Sequence, residues 1–408
     1  MLKRPPSYTV ELIINPAVQQ ISPYPEALAQ LFNTQTNEAA LEVITSWPGY
    51  APTPLRELSH LAQSLDLAAI HYKDESTRMG LGSFKPLGGA YAVQRLLMRE
   101  IERVSGETNI TNADILNGKY AHIVENITVT SATDGNHGRS VAWGAKMAGC
   151  RCVIYVHETV SVARERAIAR FGAEVRRVEG IYDDAVRAAR NTAKEQSWFV
   201  IQDTVDVDDI QSTLEIMHGY TLLASESIAQ LGDRGAPTHV FLQAGVGGMA
   251  AAVLAQLWVT YGEERPRVII VEPDKAACCL LSLQAGKPTI APGSLDSIMA
   301  GLACGEISSL AWQVLQPGAF AAAQVGDDDV ADCMRLLADN RYGDGAIVAG
   351  ESAVAGLVAL IAIAQDQSAR GKIGLDENSR VLLIGSEGAT DPEVYAGIVG
   401  RSAEEVHD

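Results

Sequence analysis

Residues 238–259 read THVFLQAGVGGMAAAVLAQLWV. The opening stretch is a short apolar run bounded by glycines, which is the pattern of a strand. The run beyond Gly248 is too long and too rich in alanine and leucine for a strand, and reads as a helix. An apolar strand without polar alternation is buried on both faces, as in a parallel sheet covered by helices. The unit recurs along the chain. RVIIVEPD (267–274) and RVLLIGSEG (380–388) are apolar strands, and RCVIYVHE (151–158) precedes the amphipathic SVARERAIARFG (161–172). AEVRRVEG (173–180), YDDAVRAARNTAKEQ (182–196) and WFVIQDT (198–204) continue as strand, helix and strand. The expected class is α/β, with parallel sheets between layers of helices.

A chain of 408 residues exceeds one ordinary domain, so two subdomains are expected. The 47% hydrophobic and 20% charged content describes a globular protein with a sizeable core. Lys and Arg number 32 against 50 Asp and Glu, a net charge of −18. Such a surface repels nucleic acid and anionic membranes, and neither is an expected partner. A local nest of backbone N–H groups can still hold one phosphorylated small molecule. The cysteines (Cys150, Cys152, Cys278, Cys279, Cys304 and Cys333) show no CxxC spacing, so no metal site is expected. A reducing compartment is the simpler reading. The opening MLKRPPSYTVELIINP lacks the apolar core of a signal peptide, and no segment reaches membrane-spanning length. A cytoplasmic protein is the expectation.

Three constellations carry chemistry. In GLGSFKPLGGA (80–90), Lys85 stands between Phe84 and Pro86 with glycines around it. An apolar setting disfavours the ammonium, which an imine-forming lysine requires. A helix-start lysine whose stem covers apolar surface fits the same letters. In SATDGNHGR (131–139), a strand ends at Thr133, and Asp134-Gly135-Asn136 turns into a helix. The first N–H groups of that helix would bind a carboxylate or phenolate oxygen. An Asx turn with a capping Asn136 and a solvent-facing His137 is the plainer alternative. In LQAGVGGMAAAV (242–253), glycines allow close backbone approach and N–H groups converge into a phosphate cradle. The spacing Gly245-x-Gly247-x-x-Ala250, with Glu272 ending the next strand, equally satisfies a dinucleotide fingerprint. A nicotinamide dehydrogenase, however, has no use for Lys85. A pyridoxal phosphate enzyme needs all three stretches.

SFKPLGGAYAV, TDGNHGRSVAW, the ARERAIARFGAEV…GIYDDAV run, QAGVGGMA and SIMAGLACGE together resemble the tryptophan-synthase-β-like pyridoxal phosphate enzymes. The similarity spans about residues 40–395. Within that family TDGNHGR is similar to the diaminopropionate ammonia-lyases; threonine and serine dehydratases usually carry a small residue where Asp134 stands. The chain departs at Pro86, where a bulkier residue is typical, and SEGATDP (386–392) only approximates the closing motif. The resemblance implies fold type II, with two α/β subdomains and the active site between them. The larger, cofactor-binding domain would comprise 1–91 and 211–408, and the smaller inserted one 92–210. It implies that Lys85 carries pyridoxal 5'-phosphate as an imine and that Asn136 contacts the ring hydroxyl. Gly245, Val246, Gly247, Gly248 and Met249 would hold the phosphate, and Ser386 would face the pyridine nitrogen. Thr133, Asp134, Gly135 and His137 would bind a small amino-acid substrate, with Asp203 a second carboxylate nearby. A homodimer is also implied.

The reaction so implied is α,β-elimination of ammonia from 2,3-diaminopropionate, D or L, giving pyruvate and two ammonia. A β-ammonium is cationic at neutral pH, so Asp134 and Asp203 suit it better than they suit a hydroxyl. Lys85 would take the Cα proton from one face, and Asp134 from the other for the D isomer. A threonine or serine dehydratase, or a dehydratase of another β-substituted amino acid, stays open, as does the nicotinamide enzyme. Other marked residues read blandly. His71, His122, His218 and His239 have no ligand spacing. Cys278 and Cys279 read as small buried hydrophobes. The acidic stretch 326–330 reads as a solvated turn, PGSLDSIMAGLACGEIS (292–308), in the least regular zone 285–345, as glycine-rich active-site loop, and Glu351-Ser352-Ala353 as pyridine-edge lining or a helix cap.

Overall fold

A computed structural model of the chain describes residues 4–133, 135–203 and 210–407. The chain divides into two compact units: Met1–Thr34, Pro52–Thr77 and Leu223–Asp408 form one, Gln35–Ala51 and Arg78–Leu222 the other. The strands are β1 (Glu11–Ile14), β2 (Leu55–Glu57), β3 (Ala69–Asp74), β4 (Thr128–Ala132), β5 (Arg151–His157) and β6 (Glu174–Val178). They continue as β7 (Phe199–Val200), β8 (His239–Gln243), β9 (Arg267–Pro273), β10 (Ala321–Val325) and β11 (Arg380–Gly385).

The first unit holds a sheet in the order β1-β10-β9-β8-β11-β3-β2. Its interior strands are parallel, while β1 and β2 pair antiparallel at the two rims. The expected parallel sheet thus forms the interior, with antiparallel strands only at the edges, where no crossover helix is needed. The short β1, β2 and β10 escape the sequence reading. β10 is AAAQV, and alanine is a poor strand former. Its alanines are fully buried between β9 and β1, where packing overrides propensity. The glycine-rich stretch 292–308 is loop apart from the short turn Ala300–Leu302, and beyond it Ser309–Gly318 and Asp327–Ala338 are helices flanking β10. Asp327, Asp328 and Asp329 form the first turn of the second helix, not a solvated turn. Carboxylates there meet the positive end of the helix dipole. Helix Ala355–Gln365 is apolar all round and buried along nearly its whole length, as a core helix should be.

The second unit holds the sheet β6-β5-β4-β7, parallel throughout. A helical turn, Ala121–Val124, precedes β4, which ends just before Thr133. The stretch expected as an inserted domain, 92–210, falls inside this unit, whose edges lie further out. Helix Pro86–Ser105 is unbroken, so a division at residue 91 would cut it. Its first turn also packs on the helix Ile210–Leu231: a Cβ on Gly219 would overlap the Leu87 carbonyl. Among the described residues no helix is long and apolar enough to cross a membrane.

Candidate active site

Lys85 stands at the N-cap of helix Pro86–Ser105. Pro86 is the first helical residue, where a missing N–H costs nothing, so the departure from the family pattern is physically sound. The Lys85 Nζ lies 2.6 Å from Asp203 Oδ2 and 5.4 Å from the Phe84 ring centroid. Its surroundings are therefore not the purely apolar ones read from sequence; a fixed carboxylate faces the amine. Burial alone would raise the Asp203 carboxyl, but His137 and the Lys85 ammonium hold it well below the usual carboxylate range.

His137 is buried, not solvent-facing. Its Nε2 lies 2.9 Å from the Ile201 carbonyl, and its Nδ1 3.7 Å from Asp203 Oδ2. Desolvation lowers its pKa, and Lys85 pushes the same way while Asp203 opposes. With Nε2–H donating to Ile201, Nδ1 faces Asp203, and it is the protonated ring that attracts the carboxylate. Tyr220 completes the cluster, and sequence reasoning missed it. Its ring meets Phe84 edge-on at 4.7 Å, and its buried hydroxyl lies beside Lys85. Burial raises its pKa, with Lys85 the leading opposing influence. A tyrosine on the apolar face of a long helix gives no signal of its own.

The turn after β4 is organised by Thr133, whose Oγ1 accepts N–H bonds from Gly135 and Gly138, both at 3.0 Å. This hydroxyl shapes the backbone, whatever else it touches. Gly135 is the N-cap and Asn136 the first residue of helix Asn136–Ala148, and Asn136 Oδ1 accepts from Arg139 at 3.4 Å. Asp134 lies outside the described residues.

In the first unit, β8 runs through the glycine turn into helix Gly248–Tyr261. Gly247 has φ of +89°, a backbone that side chains disfavour. A Cβ on Gly245 would stand 2.9 Å from Cys304 Sγ and 3.1 Å from the Gly301 carbonyl. The turn excludes side chains, and the helix start leaves N–H groups without intrahelical acceptors, which fits a phosphate. Val246 is anchored where its carbonyl accepts the Ser308 N–H at 2.9 Å. Gly248 and Met249 open the helix, with Met249 buried. Ser386 directly succeeds β11, the parallel neighbour of β8, so it leaves the sheet at the same C-terminal edge as the turn. Ligands of open α/β sheets bind at that edge. Ser352 Oγ is buried without a partner among the described residues, and a Cβ on Gly301 would come within 3.1 Å of it. The next helix, Ala355–Gln365, is capped by Val354, so the cap reading of Glu351–Ala353 does not hold. Glycines, open N–H groups and neutral hydroxyls together fit a phosphorylated pyridine.

The nicotinamide reading loses its acid. Glu272 is fully buried, and its two oxygens accept the N–H groups of Cys279 and Leu280, each at 2.7 Å. A carboxylate so occupied cannot meet a ribose. Glu272, Cys278 and Cys279 do bring potential ligand atoms within 4.8 Å of one another, which spacing alone did not reveal.

Comparison with known proteins agrees with this geometry. A model of the pyridoxal-phosphate dependent enzyme family matches residues 46–386. The chain belongs to that family. It is 40% identical over 377 residues to the diaminopropionate ammonia-lyase of Escherichia coli, covering 90% of this chain and 92% of that one. The Salmonella typhimurium diaminopropionate ammonia-lyase is 36% identical over 387 residues, covering 92% and 95%. The crystal structure of the Escherichia coli enzyme with an aminoacrylate-PLP azomethine reaction intermediate superposes with a TM-score of 0.85 at 36% identity, covering 98% of both chains. The fold is thus that of fold type II pyridoxal phosphate enzymes.

Proposed function

We propose that the chain is a diaminopropionate ammonia-lyase, eliminating ammonia from 2,3-diaminopropionate, with one water consumed in hydrolysis, to give pyruvate and two ammonia. The observation that carries this reading is the 2.6 Å pairing of Lys85 with Asp203. It sets an imine-forming amine beside a carboxylate held in its charged form. Similarity to two enzymes of that name supports the substrate.

Lys85 would hold pyridoxal 5'-phosphate, the 245–249 turn its phosphate, and Asn136 and Ser386 its ring. When bound, that group supplies an electron sink for charge developing at Cα. The residues do the rest. The Lys85 amine would take the Cα proton, and Asp134 would serve the opposite face for the D isomer. Asp203 holds the leaving β-ammonium by charge, and His137 orients Asp203. Thr133, Gly135 and His137 shape the pocket for the substrate carboxylate. A homodimeric, cytoplasmic enzyme goes with this reading, and light scattering checks the assembly.

The test is a panel of D- and L-diaminopropionate, serine and threonine on purified protein, following ammonia and keto-acid release. Both diaminopropionate isomers should exceed the hydroxyl substrates. Serine or threonine turning over faster would replace this reading with a dehydratase. Lys85→Ala should abolish the absorbance of the lysine-bound cofactor, and Asp134→Ala should lose more activity on the D than on the L isomer.

A further inference from the structure

We propose that Glu272 is a positioning residue of the glycine turn, fixing the Gly245 peptide through the Cys278 thiol and the start of helix Cys278–Ala285. The inference rests on the reading that residues 245–249 hold the cofactor's phosphate.

Glu272 lies near the end of β9, the parallel neighbour of the strand that feeds the turn. Both its oxygens accept helix N–H groups, so the start of Cys278–Ala285 is tied to β9. Cys278 Sγ stands 3.5 Å from Glu272 Oε1 and 3.6 Å from the Gly245 carbonyl oxygen, and Cys279 Sγ is 4.0 Å from that same carbonyl. The single S–H of Cys278 donates to the Gly245 carbonyl while Glu272 fixes the place of the thiol through the helix start. In a trans peptide the carbonyl and the following N–H point in opposite directions. Drawing the Gly245 carbonyl toward the thiols turns the Val246 N–H away from them, to the side a phosphate would occupy. Cys304 Sγ and the Gly301 carbonyl close in where a Gly245 Cβ would stand, which limits how far the turn can shift. Burial is the largest influence on the Glu272 carboxyl and raises it to about 7, against the amide N–H groups that lower it. The other groups beside it are the two thiols; Gln324, its register partner on β10, donates its amide to Glu11 instead.

The experiment strips the full-length protein of cofactor and titrates it with pyridoxal 5'-phosphate and with pyridoxal, which lacks only the phosphate. Wild type should prefer the phosphorylated ligand; absence of that preference would refute the cradle reading itself, before Glu272 enters. Given the preference, Glu272→Gln and Cys278→Ala should each weaken the phosphorylated ligand by roughly tenfold, the scale of a lost hydrogen bond to a charged group. Pyridoxal affinity should stay unchanged. Cys278→Ser keeps a donor for the Gly245 carbonyl and should restore the wild-type preference. Equal losses for both ligands, or none for either variant, would overturn the role. If Glu272→Gln does not fold, the Cys278 pair decides alone.

Discussion

Asp203 is the residue whose importance the geometry raises most. Its carboxylate meets both the Lys85 ammonium and the Nδ1 side of His137, and its depressed pKa keeps it charged across the working pH range. Asp203→Asn keeps the shape and removes the charge. We expect kcat on diaminopropionate to fall by roughly a hundredfold or more, the range for a positioned acid–base or charge-stabilising group. The lysine-bound cofactor should still form, because the amine itself is untouched. A variant with full turnover, or one that no longer loads cofactor, would remove Asp203 from the chemistry. His137→Asn should show a smaller loss in kcat, since a buried ring that acts through Asp203 can be partly replaced by an amide.

At the scale of elements, the contact between helices Pro86–Ser105 and Ile210–Leu231 sets where Lys85 and Tyr220 stand, and Gly219 makes it possible. Gly219→Ala must push backbone away from backbone. We expect a loss of about 1–3 kcal/mol, the usual cost of overpacking, read from urea unfolding. Gly371, inside helix Gln367–Ile373 with open space around it, is the control. Gly371→Ala should be neutral or stabilising by about 0.5–1 kcal/mol. Elements like these also mark what was legible. The apolar strands β5, β8, β9 and β11 and the helices after glycine turns stood out because composition, period and boundary agreed. β10 did not, because its alanines owe their strand to burial between neighbours. The Asp327–Asp329 run misled for a related reason: acidic residues suit both a solvated turn and a helix start. In the site, Lys85 and the glycine turn were legible as local motifs. Tyr220 and the Glu272–Cys278 contact were not, since they arise only when distant segments pack.

For the whole molecule, stability against pH sums opposing buried groups. His71, His137 and His239 have pKa values lowered chiefly by burial, so between their folded and unfolded values the unfolded chain binds more protons and stability rises with pH. Glu272 works in the other direction. Its folded pKa of about 7 stands above its ordinary 4.5. Across that window the folded protein keeps a proton the unfolded chain has released, so this contribution is full below the lower value and lost as pH rises through the upper one. The slope of the wild-type curve cannot be assigned to either set, but the difference from Glu272→Gln can. Gln mimics the protonated carboxyl and does not titrate. With both proteins held at saturating pyridoxal 5'-phosphate, the variant should gain on wild type steadily from pH 4.5 to 7, by a total on the order of 3 kcal/mol. Denaturant unfolding at half-unit pH steps measures it. Parallel curves would mean that Glu272 keeps an ordinary pKa in the folded protein, and that its helix and thiol contacts stabilise the carboxylate enough to cancel its burial.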